Sequence, residues 1–120
     1  MADTLSTDTE QAVKDLSALI ADHKGIDVTA MDLRGLNSWT DFFIIATVSS
    51  SAHLKGLQKY IKDFALDHDI EILRRHRKVA SDDEWNLIDM GSIVVHLMTE
   101  KARSFYELER LWSEAKTVVL

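Results

Sequence analysis

The sequence predicts one α/β domain with a mixed five-stranded sheet flanked by helices, and three observations carry that prediction. Helical periodicity alternates with short apolar runs, in the order helix, two strands, helix, three strands, helix. Phe42 to Val48 is apolar except for Thr47, which is the pattern of a strand covered on both faces and therefore of a sheet centre. Two further apolar runs meet at Met90-Gly91 and predict an antiparallel hairpin. A strand, helix, strand passage from Phe42 to about Arg77 calls for a right-handed crossover between parallel strands, so the sheet is mixed.

Each element has its own signal. Thr7 and Glu10 have capping-box spacing, and Val13, Leu16, Leu19 and Ile20 then share one helical face up to Gly25, a residue suited to the left-handed position after a helix. This predicts a first helix over about 8–24. Ile26 to Leu33 mixes β-branched and apolar residues with Asp27 and Asp32, as in a partly exposed strand. Arg34 to Ser38 has turn composition, and the central strand follows. Ser49, Ser50 and Ser51 are N-cap candidates for a helix reaching about His68, with Leu54, Leu57, Ile61, Phe64 and Ala65 as its apolar stripe. Ile70 to about Arg77 reads as a strand and Lys78 to Asp83 as a polar loop. Trp85–Met90 and Ile93–Met98 form the hairpin. Thr99 and Glu100 open a last helix whose apolar face is Ala102, Phe105, Leu108, Leu111 and Trp112.

The length of 120 residues suits one domain, residues 1–120, with a helical segment over about 7–24 and a core over about 25–113. A formal charge of −6 argues against a surface drawn as a whole to nucleic acid, leaving protein recognition or a local basic patch. No cysteine is present, which excludes disulfides and thiolate metal sites. The acidic first 25 residues do not read as a secretory signal, and no apolar stretch approaches the roughly 20 residues that span a bilayer. The simplest expectation is a cytoplasmic protein with no membrane contact.

An enzyme reading begins with Asp32, Asp41, Asp89 and His96, since carboxylates on neighbouring strands can hold metals for phosphoryl transfer. A nucleotidyltransferase brings a Gly-Ser pair at a helix start and two acids separated by one residue on the next strand. Here Gly91-Ser92 sits in a hairpin turn and is followed by Ile93 and Val94. Asp89 is open to three roles, turn chemistry, interface contact or catalysis, and turn chemistry is the simplest. His96 shares a strand face with Val94 and Met98, where a hydrogen-bonded, partly buried histidine is the common case. The other histidines belong to different elements, which gives no ligand spacing for a metal. No catalytic group, cofactor or metal is therefore expected.

Two surface features remain. Arg74, Arg75, Arg77 and Lys78 form a basic run with His76 inside it, followed by Asp82, Asp83 and Glu84. It reads either as a solvated, internally paired hairpin or as a minor contact with RNA phosphate. Trp85, Leu87 and Asp89 alternate with Asn86, Ile88 and Met90, and helices lying mostly on one side of the sheet leave the other side able to present large side chains. From alternation alone Trp85 is equally a core or an interface residue.

Three blocks of the sequence together resemble the ribosomal silencing factor family, also called Iojap. The first is Thr40, Asp41, Phe42 and Phe43; the second is Ser50, Ser51 and His53. The third is Trp85, Asp89, Gly91 and His96, continued by Tyr106, Leu108, Glu109, Leu111 and Trp112. The chain departs from the family pattern at Lys78-Val79, where a Glu-Gly pair is common, and at Ser92, where an acid is common. The resemblance implies a nucleotidyltransferase-like topology without the chemistry. It implies binding to the fourteenth protein of the large ribosomal subunit and steric exclusion of the small subunit, so that translation is repressed. An assembly factor using the same contact is the alternative, and a nucleotide-binding enzyme on the same fold is a further one. The expected partner-binding residues are Trp85, Leu87, Asp89, Met90, Met98 and Tyr106, on the hairpin and the start of the last helix, in a monomer or weak homodimer.

Overall fold

A computed structural model describes residues 2–36, 40–73 and 84–120, with 2–8 as backbone only. The basic run from Arg74 to Lys78 and the loop from Lys78 to Asp83 lie outside the described residues. The elements are α1 (Ala2–Asp22), β1 (Ile26–Asp32), β2 (Phe42–Thr47), α2 (Ser51–Asp67), β3 (Trp85–Asp89), β4 (Ile93–Met98), α3 (Glu100–Tyr106), α4 (Leu108–Leu111) and β5 (Lys116–Thr117). They form one five-stranded mixed sheet in the order β3-β4-β2-β1-β5. β2 and β4 run parallel and every other neighbouring pair is antiparallel. All residues of these two central strands are buried. The expected sheet centre is thus correct.

The predicted crossover partner is not. The chain leaves β2 through α2, passes to the outer strand β3, and returns as β4 between β3 and β2. Only Ile93–Met98 is apolar enough on both faces to take the inner place. Of the strand expected over Ile70 to Arg77, Ile70 to Ile72 are not strand, and Leu73 makes a single bridge to Asp89. The fifth strand is instead β5, two exposed residues paired with Met31 and Asp32.

The pleat sorts side chains into two cores. Phe42, Ile44 and Ala46 of β2, with Ile93, Val95 and Leu97 of β4, face α1 and α2, which contribute Leu16, Ile20, Leu57 and Ile61. Phe43 and Ile45, with Val94 and Met98, face the C-terminal segment through Ala102, Leu108 and the partly buried Trp112. Both faces of the sheet therefore carry helix, which corrects the expectation of a largely open second face.

Local chemistry sets the helix ends. Backbone helix already begins at Ala2, so Thr7 lies inside α1 and its spacing to Glu10 does not start the helix. At the other end the Gly25 N–H donates to Ile20 O at 2.8 Å and the Lys24 N–H to Ala21 O at 3.0 Å. This is the paired closure of a Schellman motif, with Lys24 in the left-handed position at φ 70°. Gly25 has another role than the predicted one: a Cβ there would lie 2.5 Å from Ile20 Cγ2 and 2.8 Å from Ile20 O. α2 closes the same way, with Asp69 left-handed. Ser50 is the cap of α2, its hydroxyl accepting from His53 N at 3.0 Å, and Thr99 caps α3 through Ala102 N at 3.1 Å. The single last helix expected from sequence is broken, because Glu107 turns left-handed at φ 47° between α3 and α4.

Candidate functional site

The break at Glu107 divides the residues expected along one apolar stripe between α3 and α4. Ala102 and Leu108 stay buried against the sheet, whereas Phe105, expected on the buried stripe, is 79% exposed. Leu111, also expected there, is exposed as well. An unbroken helix would have placed Ala102, Phe105 and Leu108 along one stripe; the turn after Tyr106 re-aims Leu108, which is buried from α4 while Phe105 stays outside on α3.

Phe105 is the outer end of a line of rings. It meets Tyr106 edge-on at 5.0 Å, and Tyr106 meets Trp85 at 4.5 Å. Trp85 lies 5.9 Å from His96, which contacts Phe43 at 4.5 Å, and Phe43 meets Trp112 at 5.7 Å. Each such pair adds about 0.5–1.5 kcal/mol beyond burial, so the line ties exposed rings to the sheet interior. Trp85 also donates its indole N–H to His96 Nδ1 at 3.1 Å. Exposed anchors backed by a rigid base bind with little ordering cost. Beside the outer rings lies a groove of about 520 Å³ lined by Glu84, Lys101, Ala102, Ser104, Phe105 and Tyr106.

Of the expected partner-binding residues, Trp85 and Tyr106 come together here, and Leu87 lies on the same face of β3 as Trp85. Tyr106 is 45% exposed, and Trp85 and Leu87 are half-buried against the second core. The other three do not belong to an exposed face. Met98 is 0% exposed, enclosed in the second core with Trp85, Phe43 and Ala102. Met90 is 6% exposed and packs with Ile88 in the core facing α1 and α2, because alternation sends it to the opposite side from Trp85. Asp89 is buried, and its Oδ1 accepts from Gly91 N–H at 2.9 Å in a turn where Gly91 has φ 82°. Phe105 was missed as a surface residue. A bulky aromatic pair next to a helix break was the available signal, but the break itself depends on a left-handed glutamate that no composition rule marks.

The groups of the enzyme reading are dispersed. Arg34 grips both carboxylate oxygens of Asp32, at 3.0 and 2.7 Å, and also reaches Glu10 at 3.1 Å. The hydrogen bonds from Arg34 hold the Asp32 carboxyl below the usual carboxylate range. Asp41 is exposed, Asp89 serves its turn and His96 accepts from Trp85. Among the described residues no three His, Asp or Glu side chains are grouped so as to hold a metal ion. His53 is structural: the Ser49 amide donates to its Nδ1 at 3.0 Å, so the ring proton is on Nε2, which donates to His23 O at 2.9 Å. It joins the start of α2 to the end of α1.

A second polar cluster fixes the C-terminal helices. Arg103, largely buried, donates to Thr47 Oγ1 at 3.0 Å, to Thr29 Oγ1 at 3.2 Å and to the Ile26 carbonyl at 3.4 Å, and pairs with Glu109 at 3.2 Å. It reads the β1 irregularity where Asp27 is left-handed and the register with β2 shifts. Among the described residues no helix is long and apolar enough to cross a membrane.

Comparison with known proteins places these features in a family. Residues 6–120 match the family described as "Ribosomal silencing factor during starvation". The ribosomal silencing factor RsfS of Treponema pallidum is 31% identical over 103 residues, covering 86% of this chain and 91% of that one. The mouse protein named mitochondrial assembly of ribosomal large subunit protein 1 is 29% identical over 108 residues, covering 82% of this chain and 43% of that protein. A crystal structure of a Chromobacterium violaceum protein superposes with a TM-score of 0.74 at 28% identity, covering 86% of this chain and 85% of that one.

Proposed function

The chain belongs to the ribosomal silencing factor family, and from that premise we propose that it docks on the large ribosomal subunit through that subunit's fourteenth protein and sterically blocks joining of the small subunit, repressing translation in the cytoplasm. The observation that carries this reading is the ring line ending at Tyr106 and Phe105, an exposed aromatic surface beside a groove and rooted in the sheet. Large aromatics at the centre of a protein interface supply most of its binding energy. Steric exclusion needs occupancy and no turnover, so an acidic protein that acts as a monomer or weak homodimer suffices. Trp85 and Leu87 form the base of the docking surface, and Tyr106 and Phe105 its anchors.

The test is a sucrose gradient of purified subunits with and without the protein. Added protein lowers the joined-ribosome peak and sediments with large subunits; an unchanged profile at saturating protein refutes the reading. No nucleotide is needed. Metal-dependent incorporation of labelled nucleotide by the wild type, lost in Asp89→Asn, would establish the enzyme reading instead.

The name of the mouse relative favours one second reading, a large-subunit assembly factor using the same contact. Depletion then accumulates immature large subunits during rapid growth, whereas a silencing role appears on nutrient withdrawal.

A further inference from the structure

The exposed face of α2 carries Lys55, Lys59 and Lys62. Spacings of four and three put them on one side of the helix, spread over roughly 10 Å of its axis. The opposite side, through Leu54, Leu57, Ile61 and Phe64, is buried in the core. We propose that this lysine stripe is a second contact surface, for the phosphate backbone of RNA.

Helix stability accounts for little of the stripe, since Lys59 and Asp63 are the favourable i,i+4 neighbours within it and they form no close ion pair. Lys55 with Lys59, and Lys59 with Lys62, are like charges at neighbouring helical positions, and each such pair weakens a helix. The charges also run against the macrodipole. The first turn of α2 has no acid and the last turn no base, while Asp63 and Asp67 lie toward the C-terminal end. Elsewhere Lys14, Arg34, Arg103 and Arg110 are paired with carboxylates. Among the described residues none of the three stripe lysines is in an ion pair, although Asp63 flanks them on the same helix. In a chain of net charge −6, a local row of cations held in no ion pair is complementary to a polyanion.

Polyphosphate fits this surface better than a lipid bilayer. Membrane-surface helices bury an apolar face in the lipid, and that face of α2 is already committed to the core, leaving as large exposed apolar residues beside the stripe Leu66 and Tyr60, whose ring is stacked on His23. The stripe is also free to act together with docking. α1 and α2 cover one face of the sheet and the Trp85–Tyr106 surface lies on the other, so the two contacts do not compete. That the RNA is ribosomal rests on the docking reading; that the stripe takes phosphate does not.

The test titrates the full chain with a fluorescent RNA hairpin between about 50 and 200 mM KCl, comparing wild type with the triple variant Lys55→Gln, Lys59→Gln, Lys62→Gln. Glutamine is a good helix former, and circular dichroism checks that the fold persists. Three phosphate contacts weaken wild-type binding by about 20- to 40-fold across that range, and the triple variant loses most of this dependence together with most of its low-salt affinity. Equal binding and equal salt dependence in the two proteins, or no hairpin binding by wild type, overturns the proposal. So does preference for phosphatidylserine vesicles over the hairpin. Phe105→Ala separates the two readings: it keeps hairpin affinity while weakening attachment to large subunits, and loss of hairpin binding in that variant also overturns the assignment to α2.

Discussion

Trp85 reaches diagonally across the hairpin to His96: it stands opposite Met98 in the register, yet its indole N–H donates to His96 Nδ1 at 3.1 Å. His96 is buried, so this bond is made away from water. Trp85 is consequently both base of the docking surface and part of the second core. Trp85→Phe keeps a ring against Tyr106 but removes the donor and lowers stability by about 1–3 kcal/mol. Trp85→Ala also removes the ring and lowers it by about 3 kcal/mol or more. Urea denaturation checks both values; equal losses would mean that the ring contact contributes nothing.

Phe105 and Tyr106 are the cleaner probes of docking. Phe105→Ala and Tyr106→Ala each weaken binding to large subunits by about 2 kcal/mol, roughly 30-fold. Phe105→Ala leaves the melting temperature nearly unchanged, because its ring is 79% exposed. Sedimentation binding assays on both variants, with thermal melts alongside, check the pair; wild-type affinity in both would move the interface elsewhere.

The Asp32–Arg34 pair makes stability depend on acid. Hydrogen bonds from Arg34 depress the folded-state Asp32 pKa below its ordinary value of 3.8, so the unfolded chain takes up the proton first. The contribution is fully present above that ordinary value and fades as pH falls below it through the depressed one. Arg34→Leu is therefore less stable than wild type at pH 7, and the gap narrows below about pH 4. Melts from pH 7 down to 2.5 test the sign; a gap that widens in acid would contradict it.

Gly25 is required for space. A Cβ would press on the Ile20 carbonyl, a backbone atom that cannot swing away, so Gly25→Ala costs about 1–3 kcal/mol and lowers Tm by roughly 5–15 °C. Lys24→Gly acts in the opposite direction by relieving a left-handed lysine, with a gain of up to about 1 kcal/mol. Calorimetry of the two variants separates the roles.

α2, the hairpin and the central strand were legible because their signals are local: a cap, a period of 3.6 or 2, and an unbroken apolar run. β5 was not, since Lys116 and Thr117 are exposed and become strand only by meeting the end of β1. Met98 illustrates the limit within the site. Alternation puts it on the face shared with His96, but its burial follows from the neighbours folded over that face from distant positions in the chain.

By itself the sequence determined the fold class, the buried centre of the sheet and the family, because hydrophobic periodicity and three spaced motifs are properties of neighbouring residues. Only the tertiary structure decided that β4 lies between β3 and β2, that Met90 and Met98 are core, and that Phe105 is surface. The physical reason is that exposure is a relation between segments far apart in the chain. It is set here by a left-handed Glu107 and by Arg103 fastening α3 to Thr29 and Thr47, and neither contact is written in any single stretch of sequence.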